Sequence, residues 1–185
     1  MYKLTGSLLA LIFIVISLPV SATTGSRLKP QNEGDRAARH YDRAQQAAEQ
    51  AAKLESSAIF ASSAKAQEKL FSKSDSKYRK AAKLYKRALK VNPYMPGVKT
   101  PLAHALIKSK EFEQALSLLN EELERNPNDK KAIIYRTDAL VQLGEMEKAE
   151  ASFGDLAIQP RVEEVAELVS PQTRAWLTEQ GTSSE

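Results

Sequence analysis

Two stretches of this 185-residue chain decide its fold: KYRKAAKLYKRALKVNP at 77–93 and EFEQALSLLNEELERNP at 111–127. Both end in Asn-Pro, and Pro93 and Pro127 stand 34 residues apart. Twelve residues before each proline is an alanine, Ala81 and Ala115, and Ala149 continues the series. Four residues further on comes a large side chain, Tyr85, Leu119 and Phe153. Three beyond that stand Ala88, Glu122 and Leu156, so a small residue is kept there once. Pro160 closes the third unit. In the first stretch Tyr78, Ala81, Ala82, Tyr85, Ala88 and Leu89 share one side at helical spacing. Lys77, Arg79, Lys80, Lys83, Lys86 and Arg87 surround them, a basic surface. Ser74 and Asp75 are suited to cap the start of this helix. Asn92-Pro93 ends it, because a residue before proline disfavours the α conformation.

Antiparallel helices joined by a tight turn need a small residue where their backbones approach and a large one to fill the groove beside it. A proline then stops the second helix and redirects the chain. Period, alanines and closing prolines together resemble the tetratricopeptide repeat family over 74–160. The resemblance implies an all-α, short helical-hairpin solenoid. Its array would occupy 74–161, a partial repeat followed by repeats 96–129 and 130–161. Leu102-Ala103 and Leu106 would pack the first helix of one repeat, Ala132-Ile133 and Ala139-Leu140 that of the next, with Gly144 at the turn. The register would put the missing first helix near 62–75, where Glu68, Lys69 and Ser72 occupy positions that should be apolar. An elongated or shifted helix from the preceding segment is the expected partner.

That preceding segment, 36–73, is rich in alanine: 11 of them lie within 37–66. Alanine has the highest helix propensity. Ala37, Ala44, Ala51 and Ala58 recur every seven residues, which predicts one or two long helices with a narrow apolar stripe. Glu55 and Ser62 interrupt the interleaved positions and argue against a long coiled coil. Such a helix could also support self-association, since about three repeats are needed for a stable array. Beyond the array, Val162, Val165, Ala166 and Val169 predict a helix, and Ser170-Pro171 starts another holding Trp176 and Leu177. These capping helices, 162–180, would cover the last apolar face, with Trp176 as a plug and Gly181 as the stop before a tail, 181–185.

Residues 1–22, with Lys3, an apolar run over Leu8–Leu18 and then Pro19-Val20-Ser21-Ala22, have the pattern of a cleavable secretory signal peptide. A flexible tether, 23–35, would follow. Export points to a periplasmic or secreted protein, or to the inner membrane if the signal is retained as an anchor. Cysteine is absent, which removes disulfides, thiol catalysis and cysteine-bound zinc. His40 and His104 lack metal-ligand spacing, and no hydrolase or phosphate-loop motif occurs. No enzyme activity, cofactor or metal is expected. Glu121, Glu122 and Glu124 sit near the end of a solvated helix and read as surface.

Residues 23–91 carry 16 Lys/Arg against 7 Asp/Glu, whereas 92–185 carry 10 against 16. An exported chain is not expected to meet nucleic acid, but its basic half could meet an anionic membrane or envelope polymer. The family resemblance implies a different partner, another polypeptide held on the concave face. Carried over by register, the contact positions are Thr100, His104, Ile107 and Lys108 in one repeat and Ile134, Asp138, Val141 and Gln142 in the next. Thr100, His104, Ile134 and Asp138 do not match the Lys/Asn/Arg clamp that some members use for a terminal carboxylate. A helix or extended segment is therefore the implied ligand. Two functions follow: a periplasmic protein-interaction adaptor, or alternatively a surface-associating structural protein using the basic helix 77–90.

Overall fold

Alanine sets the first hairpin. The computed structural model describes residues 32–156, 162–165 and 168–182. Helix α1 spans Glu33–Ile59 and α2 spans Ala64–Val91. Asn32 caps α1, its Oδ1 accepting from the Asp35 amide at 2.8 Å. The tether thus ends three residues earlier than the sequence suggested. Ala37, Ala44, Ala51 and Ala58 are all buried against the partner helix. With so little side chain between them the backbones come close, and Ser74 Oγ donates to the Ala51 carbonyl at 3.0 Å. This corrects the expectation for Ser74 and Asp75, which lie inside α2. Ser63 is the cap, accepting from the Ala66 amide at 3.3 Å. The expected boundary at 73/74 therefore falls within one continuous helix. The elongated partner expected from the Ala-rich segment is α1, and the register position 62–75 belongs to α2.

Helices α3 (Lys99–Lys108) and α4 (Phe112–Arg125) form the second hairpin, and α5 (Lys130–Gln142) and α6 (Met146–Gly154) the third. Their turns repeat bond for bond. The Glu111 amide donates to the Leu106 carbonyl at 2.9 Å, and the Glu145 amide to that of Leu140 at 3.0 Å. Each pair is displaced by one 34-residue period, and each is the closing bond of a Schellman turn. The residue before each donor is left-handed: Gly144 at φ 77° and Lys110 at φ 64°. Glycine adopts that conformation freely, whereas lysine is strained there. Ala81, Ala115 and Ala149 have no exposed surface at the three helix crossings. Tyr85 and Leu119 are buried beside the first two, and Phe153 partly buried beside the third.

Helices α7 (Val162–Val165) and α8 (Pro171–Thr182) follow. Ser170 caps α8, its Oγ accepting from the Thr173 amide at 3.2 Å. Val165, Val169 and Leu177 are buried in the common core. Trp176 meets Phe153 edge-on at 6.4 Å and packs beside Leu140 and Val141, which is the plug expected of it. The sequence-based readings for 1–22, for 23–31, for Pro160 and Ala166, and for 183–185 lie outside the described residues.

Candidate functional site

Helices α3 and α5 carry the eight positions expected to line a concave groove, and the structure uses most of them internally. Thr100, Ile107, Ile134, Asp138 and Val141 are buried, while His104, Lys108 and Gln142 keep part of their surface. The His104 ring stacks on Tyr135 at 4.6 Å and meets Tyr78 edge-on at 5.8 Å, which joins α2, α3 and α5. Thr100 Oγ1 donates to Asp129 Oδ2 at 2.9 Å. Asp138 accepts from the Ser170 amide at 3.2 Å, from Ser170 Oγ at 2.7 Å and from Thr173 Oγ1 at 2.6 Å. Gln142 Nε2 donates to Ser170 Oγ at 2.6 Å. The expected groove is thus corrected to an inter-helix seam. Its two ends are closed by elements the register comparison did not include, α1 at Lys108 and α8 at Asp138.

Glu55, which interrupts the alanine stripe of α1, explains one closure. Its carboxylate accepts from Lys108 Nζ at 3.0 Å and from the Tyr78 hydroxyl at 3.3 Å. Lys108 Nζ also lies 5.9 Å from the Tyr78 ring centroid. Burial raises the Tyr78 pKa, and the neighbouring Glu55 charge adds to the rise. Burial pushes Tyr135 up to about 12. It pulls His104 down to about 3, helped by the Lys108 and Lys131 charges. The imidazole is therefore a neutral packing ring at physiological pH, not a proton donor. Among the described residues no group of three His, Cys, Asp or Glu is placed to hold a metal ion.

Open surface remains elsewhere. A cleft of about 390 Å³ between α4, α5 and α6 has Leu116 and Leu140 among its walls, with Asn120, Arg136, Glu145 and Lys148 around them. Arg136 is held in place: its Nε donates to Ser152 Oγ at 2.8 Å and its guanidinium pairs with Asp155. Nothing in the sequence pattern marked this cleft, because Leu116 and Arg136 sit outside the register positions that carry the repeat.

The basic surface of α2 divides in two. Arg79, Lys80, Lys83 and Arg87 are exposed as expected. Lys77 instead donates to Gln50 Oε1 at 2.7 Å, and Lys86 to Gln114 Oε1 at 2.9 Å. These two are tied to neighbouring helices.

Paired antiparallel helices, alanines at each crossing and a bond pattern repeating at 34 residues are the geometry of one repeat class. A family model described as tetratricopeptide repeat matches residues 74–133. Within those residues the chain carries tetratricopeptide repeat sequence. The match begins inside α2 and ends inside α5, so it covers the second hairpin and the helices flanking it. No curated protein and no solved structure matches the chain. Repeats of this class typically mediate binding to other proteins.

Proposed function

We propose that this protein is an exported, non-catalytic adaptor that binds a partner polypeptide on its repeat array. The observation that carries the reading is the cleft of about 390 Å³ between α4, α5 and α6. Leu116, only partly buried, can meet the apolar side of a helix or extended segment. Its rim is charged but internally paired, Arg136 with Asp155 and Lys148 with Glu145, so a polar partner group would have to share or exchange these contacts. The apolar run before Pro19 and the small residues after it support export.

In-cell crosslinking tests this. A photoreactive residue at Asn120 or Lys148, both exposed on the cleft, should capture one dominant protein. The same group at exposed Gln46 on α1, which contributes nothing to the cleft, should not. Equal capture at all three positions would overturn the assignment. The mature N-terminus read from the same material tests export, since an intact Met1 on soluble protein contradicts it.

A further inference from the structure

The α1–α2 hairpin runs past the rest of the fold. Between Ala58 and Ser74 no residue is buried. At the apex Ile59 is 68% and Phe60 86% exposed, and Phe71 is 40% exposed on the flank. Two large apolar side chains in sequence, exposed at the tip of a helical hairpin, cost solubility and are buried by none of the described residues. Beside them begins a stripe of one charge. Lys65, Lys69, Lys73, Lys80, Lys83 and Arg87 recur at helical spacing and are all exposed, on the side of α2 opposite buried Tyr78, Tyr85 and Ala88. Among the described residues none of the six forms an ion pair. The 28 residues of α2 hold ten Lys/Arg and two Asp/Glu, along about 42 Å of helix.

We infer that this apex is a peripheral membrane-docking element for an anionic phospholipid bilayer. Ile59 and Phe60 enter the boundary between headgroups and acyl chains, and Lys65, Lys69 and Lys73 contact the lipid phosphates. Charge selects this occupant. An apolar tip flanked by unpaired lysines matches an interface that is apolar inside and negative at its surface. A second copy would bring the same positive stripe and be repelled. A nucleic acid would use the lysines but leave Phe60 in water. None of the described helices is long and apolar enough to cross a membrane, so the contact is interfacial. The sequence placed a basic contact on 77–90; the structure moves its working end to the apex, where cations and exposed aromatic surface coincide.

The absence of cysteine makes the test direct. In the full-length chain, Ser62→Cys carries an environment-sensitive fluorophore at the apex, and Thr178→Cys carries it on α8 as a control. Vesicles of equal parts phosphatidylglycerol and phosphatidylcholine should raise and blue-shift the apex signal and leave the control unchanged. Pure phosphatidylcholine should do little. Neutralising Lys65, Lys69 and Lys73 to Gln should lower binding about a hundredfold. Ile59→Ser with Phe60→Ser should abolish the blue shift. All five residues are unburied, so these variants keep the fold, which circular dichroism checks. Three results would each overturn the inference: no apex response to anionic vesicles; a response that rises with protein concentration without lipid, which indicates self-association; or a lipid-silent apex that crosslinks in cells to an acidic polypeptide. Loss of apex docking leaves capture at Asn120 untouched, so the two proposals fail separately.

Discussion

Replacing His104 with phenylalanine keeps a flat ring between Tyr135 at 4.6 Å and Tyr78 at 5.8 Å, and removes the titrating group. Burial holds the His104 pKa near 3, against 6.5 for the free side chain. Below pH 6.5 the unfolded chain takes up a proton that the native chain refuses. Stability from this residue is therefore complete above 6.5 and is lost as pH falls toward 3. The slope approaches about 1.4 kcal/mol per pH unit. By about pH 5 the wild-type chain should have lost about 2 kcal/mol through His104 alone. His40, also lowered by burial and by Arg87, Arg43 and Arg36, is present in both chains and cancels in the comparison. The assay is urea unfolding of both proteins at about pH 7.5 and about pH 5, where a 2 kcal/mol difference moves the midpoint by about 1 M. His104→Phe should lie close to wild type at the higher pH and clearly above it at the lower. Parallel losses in the two proteins would show that the imidazole is hydrated and protonated in the native state, and the stacked seam would have to be abandoned.

Lys110→Gly relieves a left-handed residue at φ 64° and should stabilise the fold by about 0.5–1 kcal/mol, read as a rise in Tm; a fall would mean the lysine side chain packs usefully. Asp138→Ala removes the acceptor of three hydrogen bonds from Ser170 and Thr173. It should cost about 3 kcal/mol or more, with hydrogen exchange rising first over α8; uniform exchange would refute its role as the anchor. Ala115→Leu inserts bulk at a crossing with no exposed surface and should cost about 1–3 kcal/mol by chemical denaturation.

The repeat was legible because it is imposed locally. Ala115 and Ala149 are small because two backbones meet there, and Gly144 is glycine because the turn is left-handed. The alanine constraint recurs at a fixed interval and so shows in one dimension; the left-handed turn also recurs, but Lys110 hides it in the second hairpin. The first hairpin was only half legible. Ser74 and Asp75 have the chemistry of a helix cap, but Ser74 spends its hydroxyl on the Ala51 carbonyl across the hairpin. The true turn, Phe60-Ala61-Ser62-Ser63, contains neither glycine nor proline. The groove was not legible at all. Its closure depends on Asp138 meeting Ser170, 32 residues away, and on Glu55 meeting Lys108, 53 residues away. No spacing rule reaches either contact. The docking apex was hidden for a simpler reason: whether Phe60 is core or surface depends on where α3 stops.

His104 and Asp138 occupy the same register position one period apart. Where another hairpin follows, the position holds a ring that stacks on Tyr135 of that hairpin. Where none follows, it holds a carboxylate that seizes the cap of α8. One register position thus serves a ring-to-ring contact in one repeat and a helix-cap contact in the next. A repeat duplicated upstream of Asp138 would find the ring-bearing seam ready to receive it. One added downstream would have to displace α8 from a carboxylate already satisfied. The carboxylate of Asp138 thus ties the third hairpin to α8 where the ring of His104 ties the second hairpin to the third.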